Sequence, residues 1–102
     1  MKVAVFSTKP YDQKYFEQFN ESFHHELAFF DTNLNEQTTN LTRDFDVVCP
    51  FVNDKLDKQV IELLAKNGVK LIALRSAGFN NVDLNVAEAN HIKVTRVPAY
   101  SP

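Results

Sequence analysis

Cysteine, glycine and net charge are all scarce in this chain, and each scarcity closes off a class of function. There is one cysteine, Cys49, so no disulfide can form within the chain. Its neighbours Val47, Val48 and Pro50 mark it as a buried thiol in a strand, which favours a cytoplasmic location. Two glycines, Gly68 and Gly78, cannot spell a G-x-G-x-x-G fingerprint, so the chain has no means of that kind to bind a dinucleotide by itself. The formal charge is -2, and no basic residues cluster into the footprint that nucleic acid or a membrane surface requires. No segment nears the roughly 20 apolar residues of a membrane helix. Met1-Lys2 leads straight into a run of strand length, so no signal peptide is visible.

What remains is enough for a core. The chain has 102 residues, 44% hydrophobic and 24% charged, which suits one rather small domain. Its organising stretch is Val69–Asp83. Lys70–Leu74 is an apolar run too short for a helix and reads as a buried parallel strand. Arg75, Ser76, Ala77, Gly78 and Phe79 follow as a turn, and Asn80, Asn81 and Asp83 are loop and cap types leading into a helix over Leu84–Ala89. That order aims backbone N–H groups beyond the carboxyl end of a strand, where open α/β sheets bind ligands and where an anion is favoured.

Before this stretch, Lys2–Ser7 predicts a central strand. Asp12 is a candidate cap for a helix to about Phe23, with Tyr15, Phe16, Phe19 and Phe23 as an aromatic stripe facing the core. Leu27–Phe30 predicts a shorter strand near an edge. Residues 31 to 44 form a long connection with Leu34 and Leu41 packed underneath and room for a short helical turn. Asp46–Pro50 predicts a third strand, Leu56–Lys66 an amphipathic helix stopped by Asn67-Gly68, and Ile92–Thr95 a fifth strand. This alternation predicts an α/β fold, a flavodoxin-like parallel sheet with helices on both faces and right-handed crossovers.

The stretches ALRSAGFNNVDL and IKVTRVPAYSP, with the opening MKVAVFSTKPYD and the segment CPFVND, resemble the substrate-domain signature of the NAD-dependent D-2-hydroxyacid dehydrogenases. Within that family they are most similar to its fermentative D-lactate dehydrogenases. The resemblance implies an incomplete substrate-binding domain of a two-domain enzyme. Residues 1–97 would be its amino-terminal part, and residues 98–102, with two prolines around Ala99-Tyr100-Ser101, would begin a stiff hinge to a separate NAD-binding Rossmann domain.

It also implies roles. The backbone amides of Ala77 and Gly78, beside Ser76, would bind the carboxylate of a small 2-keto acid, pyruvate in the resembled enzymes. Spacing alone favours a plain strand-to-helix turn for Gly78, and the family motif around it reverses that preference. Phe51 would stand over the same crevice and touch the substrate's methyl group, where burial alone allows a core-edge residue. The Tyr100 hydroxyl would lie near substrate, with hinge packing as the alternative. Arg75 would either add positive potential or pair structurally with a carboxylate.

The catalytic Arg, Glu and His of the family would lie beyond Pro102, so this chain alone is expected to be inactive and to bind no NAD. His24, His25 and His91 have no motif partner and read as surface histidines. A homo-oligomeric parent is expected, with no nucleic-acid, membrane or metal partner. The alternatives are non-catalytic flavodoxin-like modules. A signalling receiver needs an acidic pair after the first strand, where Ser7-Thr8-Lys9 stands, and an Asp at the end of the third, where Pro50-Phe51 stands. A flavin carrier needs a phosphate loop after the first strand, and that turn has no glycine.

Overall fold

The computed structural model describes residues 1–20, 25–51, 53–75 and 81–96; within the first helix the side chains of Tyr11, Asp12, Tyr15 and Phe19 also lie outside the description. Along the chain come β1 (Lys2–Val5), α1 (Pro10–Asn20), β2 (Glu26–Phe29), a 3-10 turn (Thr39–Thr42), β3 (Val47–Cys49), α2 (Lys58–Lys66), β4 (Leu71–Leu74), α3 (Leu84–Ala89) and β5 (Lys93–Arg96). The five strands form one parallel sheet in the order β2-β1-β3-β4-β5. The order reverses at β1, so the chain leaves the carboxyl ends of β1 and β3 in opposite directions. A crevice opens there by construction.

Alternation along the strands sorts side chains to two faces. Ala4, Phe6, Val48, Ile72 and Leu74 meet Val60, Ile61 and Leu64 of α2 and Ala87 of α3 in the larger cluster. Val5 and Cys49 meet Phe16 of α1 on the other face. Cys49 is thus a buried thiol in a strand, in no disulfide, as its neighbours imply. Ile61 and Leu64 are fully enclosed, and each such side chain contributes about 1.5–3 kcal/mol relative to exposure. Of the aromatic stripe, Phe16 is buried against Phe29, while Phe23 and the other ring positions lie outside the described side chains.

Several boundaries differ from expectation for local reasons. The first helix begins at Pro10, ahead of the cap expected at Asp12. Proline suits a first helical position, because its fixed φ is already helical and its missing N–H would have no partner there. α2 begins at Lys58 with Asp57 as its cap, the carboxylate accepting from Val60 N at 3.1 Å. Leu56 is instead buried in an isolated parallel bridge to Val82. In the long connection Leu34 is buried but Leu41 is exposed. The 3-10 turn eclipses residues three apart, so Thr39 and Thr42 share the inward side that Leu41 was expected to fill. Their oxygens accept from Asn67 Nδ2 at 2.7 and 3.1 Å, pinning the end of α2.

Both α2 and α3 end in the same motif. Gly68, at φ +96, follows the α2 cap; its N–H bonds to Ala65 O, and Val69 N bonds to Leu64 O at 3.0 Å. After α3 the bonds repeat from His91 to Glu88 and from Ile92 to Ala87, but the left-handed position holds His91 at φ 59. A side chain there carries a steric cost of about 1–2 kcal/mol that glycine escapes. His91→Gly is therefore expected to raise stability by about 1 kcal/mol in urea unfolding; an unchanged or lower midpoint would show that the histidine ring recovers that cost elsewhere.

Candidate functional site

The carboxyl edge of the sheet gathers three chain segments: Phe6-Ser7 after β1, Pro50 to Asp54 after β3, and Arg75 after β4. Arg75 is 7% exposed. Its Nε donates to Pro50 O at 3.2 Å and its Nη2 donates to Phe6 O, so one guanidinium closes the open ends of β1 and β3 together. A planar, always-charged group with several donors suits this task as an ammonium would not. The same guanidinium lies 5.2 Å from the centroid of the Phe51 ring, within range of a cation–π contact.

Phe51 is half-buried, and its main chain is fastened at both polar groups. Its N–H donates to Asp54 Oδ2 at 2.8 Å, and its carbonyl accepts from Asp54 N at 2.9 Å and Asn81 Nδ2 at 3.3 Å. Asn81 Nδ2 also reaches Asp54 O at 3.1 Å, and Leu56 N donates to Asn81 O at 2.8 Å. Arg75 and Asn81 stand on either side of residues 76–80 in the chain. Both are held to the loop that carries Phe51, so positions 75 and 81 are fixed relative to Phe51.

Asp54 is 2% exposed and receives Ser7 Oγ at 3.2 Å on each carboxyl oxygen. Burial pushes its carboxyl above the usual range, while the N–H groups of Phe51 and Leu34, the Ser7 hydroxyl and the nearby Arg75 charge pull it back down. Ser7 adopts φ 54, a left-handed backbone that non-glycine residues rarely take, and this turns its hydroxyl toward both Asp54 and Asn33 Oδ1. An open, mainly polar depression beside Asp54 lies between the loops after β2 and β3, lined among others by Asn33, Glu36, Asn53 and Asp57.

Of the residues expected at the site, Phe51 and Arg75 come together here, and Ser76, Ala77, Gly78 and Tyr100 lie outside the described residues. The partners described for the Nε and Nη2 of Arg75 are main-chain carbonyls, and its charge acts on the nearby Asp54 carboxyl. His25 and His91 precede β2 and β5, at the amino edge of the sheet and away from this crevice. Sequence reasoning missed Ser7, Asp54 and Asn81 as partners. The available signal was the three-residue spacing from Phe51 to Asp54, which lets a carboxylate fold back onto a loop N–H.

The comparisons decide the family. Residues 3–102 match the family model described as "D-isomer specific 2-hydroxyacid dehydrogenase, catalytic domain". This chain belongs to the D-isomer-specific 2-hydroxyacid dehydrogenases. It is 57% identical to the D-lactate dehydrogenase of Escherichia coli over 102 residues, all of this chain and 31% of that protein. The apo-structure of the E. coli enzyme superposes with a TM-score of 0.94, covering 100% of this chain and 32% of that one. A D-lactate dehydrogenase from Lactobacillus jensenii, solved with NAD+, is 36% identical with a TM-score of 0.83, and 31% of its length is covered. The chain thus spans about a third of the relatives it matches.

Members of this dehydrogenase family depend on NAD, and the described residues do not fit a dinucleotide. Gly68 is spent on a helix end. The amides after β1 are committed, Ser7 N to Thr32 O at 2.9 Å and Thr8 N to Phe30 O at 3.1 Å, and Pro10 has no N–H to offer. Ser7, Thr8 and Pro10 therefore have no backbone donor to turn toward a phosphate.

The raised Asp54 carboxyl gives a pH test. The folded chain takes up a proton there more readily than the unfolded chain, so this group's effect on stability turns unfavourable as pH rises from the ordinary aspartate value through the raised folded one. Asp54→Asn keeps an oxygen for the Phe51 N–H and removes the titration. Its stability relative to the parent should climb across that interval and then level off. Asp54→Ala, which removes the same titration but strands buried donors, should be about 1–3 kcal/mol less stable than Asp54→Asn at every pH. A flat Asn-minus-Asp difference in urea unfolding would contradict the assignment.

Proposed function

We propose that this chain is the amino-terminal part of the substrate-binding domain of a cytoplasmic, NAD-dependent D-lactate dehydrogenase that reduces pyruvate to D-lactate. Residues 1–97 form that part, and residues 98–102 begin the hinge to a separate Rossmann domain that holds the cofactor. The observation that carries this reading is the carboxyl-edge arrangement, in which Arg75 and Asn81, the residues flanking 76–80, are tied to the loop bearing Phe51, in a chain of this family.

In this reading the backbone amides of Ala77 and Gly78, with Ser76 beside them, hold the substrate carboxylate by charge-assisted bonds that need no lysine. Phe51 covers the methyl group, and the Tyr100 hydroxyl stands near the substrate. Arg75, being buried with donors turned to carbonyls, contributes a positive field rather than a contact. The carbonyl-polarising cation and the acid that protonates the new alkoxide lie on residues beyond Pro102, and NADH, when bound by the other domain, supplies the hydride to C2. The parent is a homo-oligomer, with neither nucleic acid nor membrane as a partner. Among the described residues no helix is long and apolar enough to cross a membrane.

The test is NADH consumption with pyruvate by the longer protein carrying this chain, run beside the 102 residues alone, with the chirality of the product determined. Turnover by the long form only, yielding D-lactate, is the expected result. No turnover with any small 2-keto acid would overturn the proposal, and L-lactate would overturn the stereochemical half of it.

A further inference from the structure

We propose that Arg75 sets substrate-size selectivity by fixing the rotation of the Phe51 ring; this rests on the reading above, in which Phe51 walls the substrate pocket. The main chain of Phe51 has little freedom, since its N–H and its carbonyl are both bonded within the loop and to Asn81. What stays free is rotation of the side chain about its own bonds, and the ring is only half-buried. The face on which it rests is the guanidinium of Arg75, 5.2 Å from the centroid.

That platform cannot tilt freely, because Nε and Nη2 are tied to carbonyls of two different strands, Pro50 after β3 and Phe6 after β1. The sheet's strand order therefore dictates the plane of the guanidinium, and the guanidinium dictates where the ring lies. A fixed wall rejects an extra methylene; a ring that can swing aside admits it. Lysine at position 75 would keep the charge but present neither a flat face nor a fork to the two carbonyls.

The experiment uses the parent enzyme and the ratio of kcat/KM for pyruvate to that for 2-oxobutanoate, because a general loss of folding lowers both values and leaves their ratio alone. Phe51→Leu should narrow the ratio about tenfold. Arg75→Lys should narrow it about two- to fivefold, and in the Phe51→Leu background it should narrow it no further. Should Arg75→Lys fail to fold, 3,4,5-trifluorophenylalanine in place of Phe51 weakens the ring's attraction for the cation with Arg75 intact, and the same narrowing is expected. An unchanged ratio in both Arg75→Lys and the fluorinated enzyme, or an Arg75 effect that simply adds to that of Phe51→Leu, overturns the proposal and leaves the pocket reading standing. An unchanged ratio in Phe51→Leu overturns the pocket wall itself, and the role of Arg75 with it.

Discussion

A single buried cation holds the working edge of this domain together. Desolvating an arginine costs several kcal/mol. Hydrogen bonds from a charged donor return about 1.5–3 kcal/mol each, and a desolvated ring contact about 2. Pro50 O, Phe6 O and the Phe51 ring return part of that cost to Arg75. Such a group adds little net stability. Its effect is on placement: three strand ends that share no sequence neighbourhood acquire a common reference point.

Around that point the polar side chains divide the labour by element. Asp54 binds its own loop to the turn after β1 through Ser7, and Asn81 binds the same loop to the approach of α3. The left-handed Ser7 and the buried carboxyl of Asp54 are both unfavourable taken singly. They persist because each satisfies the other, the hydroxyl supplying a donor to a carboxyl that burial would otherwise leave short of partners.

The architecture could be read from the sequence because it rests on local patterns. The apolar runs at Lys2, Val47 and Leu71, the amphipathic stretch after Asp57 and the Asn67-Gly68 stop each carry a periodic or terminal signal, and α3 falls on Leu84–Ala89 as its cap residue implies. Phe51 and Arg75 were legible as candidates because they stand at strand ends. The contacts between them were not: Arg75 meets a carbonyl 69 residues away, and Ser7 an aspartate 47 residues away, with no pattern in between to announce either pairing. Leu41 misled for the opposite reason, since its hydrophobicity is a local signal that the geometry of a 3-10 turn overrode.

The strand order has a kinetic consequence. Pairing β1 with β2 or β3 with β4 joins positions 24 apart, as Lys2 with Glu26 and Val47 with Leu71, whereas β1 meets β3 across 44 residues, as Val3 with Val47. The longer loop adds only about 0.5 kcal/mol of closure entropy, so loop length alone would scarcely delay that step. Arg75 imposes the stronger condition, because its seat is complete only when β1, β3 and β4 are all in register. A partly folded chain consequently has secondary structure but no crevice, and anything that binds the finished crevice acts as a brace across the whole sheet.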